Sequence, residues 1–292
     1  MPSDLPWKLL QNLRDHAMHQ GEEIASVYGF SGPPVDPLEV VAGEQAIHAE
    51  GDDLGEAFDG CLEYVGNRQF LLAYNTKYNA WPHEGDHHPK VRFTIGHELG
   101  HYFLDEHRGM LVGGGPRYTC VTEFQVAPQM EHEADCFAAG LLMPSYLLNP
   151  LVNRRPDPSL ADVRDVASRF RVSMTSMLIR WVRVSHFPCA VFSVTNRGGI
   201  RWGWVSESLL GIGAYRRRSG PIQSRDAVRF LQAGSLTQYR EGEGTGYLHH
   251  WVDVERQDVD VQESYAIIPY YEHMLVFIVA CEGDLYEEVD DD

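Results

Sequence analysis

Arg92–His107 reads RFTIGHELGHYFLDEH, and within it His97-Glu98-Leu99-Gly100-His101 has the spacing H-E-x-x-H. The pattern from Val91 to Phe103 predicts a helix. Residues four apart share a helix face, so both imidazoles can reach one Zn2+ while Glu98 falls near the nucleophilic water. A pentapeptide alone is a short pattern with a real false-positive risk, so its weight depends on the rest of the chain.

A catalytic zinc site takes three protein ligands and keeps a fourth position open. The third ligand must then come from another element, and Glu131-His132-Glu133-Ala134-Asp135 opens a second helix, Gln129 to Met143, stopped by Pro144. Glu131 and Asp135 share a face, so one carboxylate can bind metal while the other holds a ligand imidazole. Glu133 lies about 200° around the same helix at 100° per residue. Glu131 is therefore the expected ligand and Asp135 the orienting group, with Glu133 the alternative ligand.

Outward from these helices the pattern is mixed. On the N-terminal side, Trp7 to about Tyr28 has helical spacing, and Asp36-Pro37 reads as an N-cap and first turn leading to Gly43. Gly66-Asn67, between the apolar runs Cys61–Val65 and Phe70–Tyr74, predicts a hairpin, and Asn79–Lys90 reads as a loop. On the C-terminal side, Gly113-Gly114-Gly115-Pro116 marks an insertion running to about Pro128. Asn149–Pro158 is a proline-dense connector, and Leu160–Val184 is helical with a break at Val172-Ser173, as in a helix-turn-helix. Beyond Phe187, Cys189–Thr195, Ile200–Val205, Tyr265–Ile268 and Met274–Ala280 read as strands, and the closing EEVDDD reads as a disordered acidic tail.

The fold class expected is α+β. Residues 1–150 would form the metal-bearing domain, 151–186 a helix-turn-helix-like segment, and 187–292 a strand-rich sensor or substrate-recognition domain. With 42 acidic against 24 basic side chains the formal net charge is -18. Such a surface repels phosphate backbones and anionic membranes, which argues against direct nucleic-acid or membrane binding. The opening residues lack the basic-then-apolar pattern of an export signal, and no run reaches a membrane span, so a cytoplasmic protein is expected. Cys61, Cys120, Cys136, Cys189 and Cys281 form no C-x-x-C pair, which suits reduced thiols in a cytosol.

With RFTIGHELGHYFLDEH followed by EHEADCFAAGLLMP (Glu131 to Pro144), the chain resembles the ImmA/IrrE family of bacterial and phage metallopeptidases. The likeness extends to Pro34-Val35-Asp36-Pro37 and to VASRFRVS (Val166 to Ser173), about residues 20 to 185 in all. It implies a zincin-like domain with helices packed on a small sheet, and a gluzincin-like zinc endopeptidase in which His97, His101 and Glu131 hold the ion. Zn2+ is the implied cofactor, with Mn2+ its substitute. Asp135 occupies a position that is often asparagine in such proteins. The implied partner is a protein substrate, a helix-turn-helix repressor encoded nearby, whose cleavage releases a stress, phage or mobile-element response. The alternatives are a protease that processes an effector in a defence system and a non-proteolytic regulator that docks a partner.

Other residues have plainer readings. His83, His87 and His88 are expected to be solvated loop histidines, and Cys136 a packed thiol. Cys120, in the glycine-rich insertion, could cap the zinc as an inhibitory thiolate. Tyr102, Tyr118 and Arg117 are the available donors to an oxyanion. Arg164, Arg169, Arg171, Arg180 and Arg183 suit either a DNA-reading helix pair or an ordinary charged face.

Overall fold

The computed structural model describes residues 7–79, 87–114, 118–119, 128–217, 220–269 and 272–285. His83, Arg117, Cys120, the Gly115-Pro116 pair and the acidic tail lie outside the described residues. The chain divides into two compact units, Met1–Leu147 with Ser168–Ser173, and Leu148–Ala167 with Met174–Asp292. The architecture is α+β, with a strand-rich C-terminal part.

In the first unit the chain runs α1 (Trp7–Val27), α2 (Pro37–Gly43), β1 (Ile47–Asp52), β2 (Gly60–Gly66), β3 (Gln69–Asn75), α3 (Pro89–Phe103), α4 (Asp105–Val112), β4 (Tyr118–Thr119) and α5 (Pro128–Leu142). α2 begins as its sequence predicts, with the Asp36 side chain accepting from Leu38 N at 3.1 Å and proline in the first turn. The hairpin also forms, but its turn centres on Asn67 (φ 51°) and Arg68 (φ 60°). Two successive left-handed residues give the turn a twist that matches the flanking strands.

β1 adds a strand that the apolar pattern does not announce. Its burial falls from Ile47 outward, and it pairs in parallel with β3 to give the order β1-β3-β2-β4. One core joins Ile47, Leu62, Phe70 and Leu72 of the sheet to Ile95, Leu99 and Tyr102 of α3 and to Phe137 and Leu141 of α5. α3 is thereby held with its H-E-x-x-H pentapeptide buried rather than on an outer face.

α6 (Ser145–Val152) and α7 (Leu160–Phe170) contribute residues to both units. Arg171 (φ 55°) then turns the chain into α8 (Met174–Val184), at the break that the sequence predicts. The second unit continues with β5 (Cys189–Val194), β6 (Ile200–Val205), α9 (Glu207–Gly211), β7 (Tyr215–Arg216), α10 (Arg225–Gln232), β8 (Glu241–Tyr247), β9 (Val252–Asp253), β10 (Asp260–Ile268), β11 (His273–Ala280) and α11 (Glu282–Leu285). Its main sheet, β6-β5-β11-β10-β8, is antiparallel throughout. β5 and β11 are buried at every position, as strands covered on both faces must be.

At the heart of this unit sits Glu263, almost fully buried. It accepts from Ser224 Oγ at 2.6 Å, from Trp251 Nε1 at 2.7 Å and from the Tyr265 hydroxyl. Three donors offset the cost of removing a carboxylate from water.

Candidate metal centre

α3 starts at Pro89, two residues before Val91, because the His88 side chain caps it by accepting from Lys90 N at 3.2 Å. His88 thus has a structural role, and His87 lies 2.7 Å from Asn79 Nδ2. Arg92, also buried, reaches Val35 O and lies 3.8 Å from Asp36, tying the start of α3 to the cap of α2.

α3 and α5 cross at small residues. A methyl group at Gly96 would meet Ala138 Cβ at 3.3 Å, and one at Gly100 would meet Ala134 Cα at 3.0 Å. This close approach brings Glu131 to the two motif histidines. His97 Nε2 lies 3.1 Å from His101 Nε2 and 3.3 Å from Glu131 Oε2, while His101 Nε2 lies 3.7 Å from Glu131 Oε1. The three residues each offer a ligand atom within 4.8 Å of the others.

This donor set fits a divalent ion. A tetrahedral site with bonds of ~2.0–2.1 Å has ligand-to-ligand edges of about 3.3–3.4 Å; the two imidazole nitrogens lie 3.1 Å apart, and of the Glu131 carboxylate one oxygen lies 3.3 Å from His97 Nε2 and the other 3.7 Å from His101 Nε2. Burial, then the charges of His97 and His107, hold the His101 imidazole well below its usual pKa. It is therefore neutral, which is the ligating form.

The other ring nitrogens are engaged on the far side. His97 Nδ1 lies 2.9 Å from Asp135 Oδ1. His101 Nδ1 lies 2.9 Å from His107 Nδ1, and His107 Nε2 lies 3.1 Å from Glu133 Oε2. Gln129 Nε2 donates to Glu133 Oε1 at 2.8 Å. Glu133 therefore stands behind His101, on a different side of α5 from Glu131.

Glu98 is fully buried. It lies against Gly60 at the start of β2, where a methyl group would come within 2.8 Å of Glu98 Oε1 and 2.4 Å of Thr94 Cγ2. Tyr102 turns elsewhere, since its hydroxyl donates to Glu44 Oε2 at 3.0 Å. The Tyr118 side chain lies outside the described residues. Cys136 is partly buried against the core of the first unit, as expected of a packing thiol.

His107 and Glu133 have no assigned partnership in the sequence reading. His107 belongs to α4, after the break at Leu104, so helical spacing does not connect it to His101. Its position six residues after His101 is the one signal in the sequence.

Residues 83–182 match the Peptidase_M78 family, described as an IrrE N-terminal-like domain. That stretch contains α3 and α5 with all three candidate ligands and runs on through most of α8. Among solved structures, the chain is similar to a Mycobacterium tuberculosis transcriptional regulator. The TM-score is 0.55 at 12% identity, covering 93% of this chain and 81% of that one. At that identity the likeness is one of fold. No curated protein matches the chain. Among the described residues, no helix is long and apolar enough to cross a membrane.

Proposed function

We propose that this protein is a zinc-dependent endopeptidase acting in the cytoplasm on a helix-turn-helix transcriptional repressor, whose cleavage switches on a stress, phage-related or mobile-element response. One observation carries the reading: His97, His101 and Glu131 converge beside a buried Glu98 inside a peptidase-family domain.

His97 Nε2, His101 Nε2 and a Glu131 carboxylate oxygen would hold the ion, and Asp135 fixes the ring of His97. The ion, when bound, lowers the pKa of water and polarises the scissile carbonyl. Glu98 takes the proton of the attacking water on its carboxylate and delivers it to the nitrogen of the leaving amine. Its burial against Gly60 limits the positions that carboxylate can adopt.

The arginines of α7 and α8 support a protein substrate over DNA. Arg164 pairs with Glu241 and Tyr239, and Arg183 lies over the Trp204 ring at 5.3 Å. Both are engaged by their own unit. The strand-rich unit is assigned recognition or regulation.

The test is Glu98→Gln, assayed on the repressor encoded beside this gene. Metal content is expected to stay at the wild-type level while cleavage falls about 100-fold or more, the scale of general acid–base catalysis. Cleavage at the wild-type rate would remove Glu98 from the mechanism.

A further inference from the structure

The contacts behind His101 allow one proton arrangement that suits a metal ligand. An ionised carboxylate only accepts hydrogen bonds. Glu133 Oε1 is taken by the Gln129 amide, and Glu133 Oε2 lies 3.1 Å from His107 Nε2, so the proton of His107 sits on Nε2. In a neutral imidazole the other nitrogen is then an acceptor. His101 Nδ1, 2.9 Å from His107 Nδ1, must be the donor. The lone pair of His101 is left on Nε2, the atom that faces His97 and Glu131.

We propose that His107, Glu133 and Gln129 are positioning residues: they form a relay that locks His101 in its Nδ1–H tautomer and so prepares it as a metal ligand before an ion arrives. This rests on the reading of His97, His101 and Glu131 as the metal site. Ligand histidines usually give the second ring proton to a carboxylate, a carbonyl or water. His97 does so directly, through Asp135. His101 reaches its carboxylate through a second imidazole, and His107, Glu133 and His101 are all buried.

The relay has a polarity that substitution can reverse. In Glu133→Gln, the Gln129 amide claims the new side chain's oxygen and turns its NH2 toward His107. His107 Nε2 then accepts, its Nδ1 donates, and the proton of His101 is driven to Nε2, where the ion should bind. In the double variant Gln129→Glu with Glu133→Gln, the carboxylate at 129 takes the NH2 and the oxygen at 133 again faces His107. A merely structural role for Glu133 predicts no such recovery.

The experiment uses the full chain. Zn2+ affinity is measured by competition with a chelating dye for the wild type, Glu133→Gln and the double variant, with circular dichroism as the check on folding. The single variant is expected to bind roughly 10- to 100-fold more weakly, the usual effect of losing an outer partner of a ligand, and the double variant to recover most of that loss. In parallel, long-range 1H–15N spectra of the metal-free wild type read the tautomers, with the proton expected on Nδ1 of His101 and on Nε2 of His107. Unchanged affinity in Glu133→Gln, or a proton on His101 Nε2 in the wild type, overturns the relay. A variant that fails to fold leaves the wild-type spectra to decide. A wild type that binds no Zn2+ defeats the metal-site reading instead, and the same spectra still decide the relay.

Discussion

His97 and His101 share one helix face, yet they are held in different ways. The side chain of His97 is nearly buried and leans on the half-exposed Asp135. Removing that partner in Asp135→Ala is expected to weaken Zn2+ binding roughly 10- to 100-fold. Asp135→Asn keeps an accepting oxygen without the charge and should fall between that variant and the wild type in a dye-competition titration. The residue types and their spacing made this part of the site legible, because Glu131 and Asp135 fall on one helix face at a period that needs no tertiary information. The partner of Glu133 was not legible. His107 reaches it only because α4 folds back after Leu104, and no periodicity spans that break.

The two helices that carry the candidate ligands meet along Gly96 and Gly100 on one side and Ala134 and Ala138 on the other. α5 is equally tight on its other flank, where a methyl group at Gly140 would sit 2.0 Å from Met18 O in α1. The two contacts should separate experimentally. Gly100→Ala pushes α3 from α5 and is expected to lower Zn2+ affinity along with stability. Gly140→Ala acts on the α1 face, so its main effect should be a lower melting temperature, corresponding to about 1–3 kcal/mol for overpacking. α1, α3 and α5 were readable to within two residues at each end, whereas α10 was not read. Strands were less so. β8 reads EGEGTGY, and its three glycines gave it no apolar alternation; it forms because Phe230, Asp226, Tyr265 and Glu263 fill the space above them. β1 was hidden for a related reason, since most of its residues are exposed and it pairs with the second strand of the hairpin rather than with the strand that follows it.

For the molecule as a whole, buried histidines set an acid limit. Burial, then the charge of Arg201, holds His273 in β11 below its usual pKa of 6.5, beside the Trp202 ring. His250 is lowered by burial, then by His249, Arg217 and Arg225. Each is neutral in the folded protein over a range where the unfolded chain takes up a proton. The stability they contribute is present above pH 6.5 and is lost as the pH falls through the lower folded values. The melting temperature of the metal-free protein is expected to drop below that pH, and His273→Gln to make the drop shallower. A melting curve that stays flat into acid would contradict this account. Composition marked a folded chain and the pattern of helices and strands an α+β one, but burial of particular histidines depends on tertiary packing and left no mark in the sequence.

The glycine beneath Glu98 offers a handle for finding the natural target. Gly60→Ala leaves His97, His101, Glu131 and Glu98 chemically intact and presses on Thr94 and on the Glu98 carboxylate, the proposed proton shuttle. Such a chain should still take up metal and engage its target but release product slowly, with the loss appearing in kcat rather than KM. It would act as a substrate trap, and mass spectrometry of what it retains in its own cell would name the protein that it cuts.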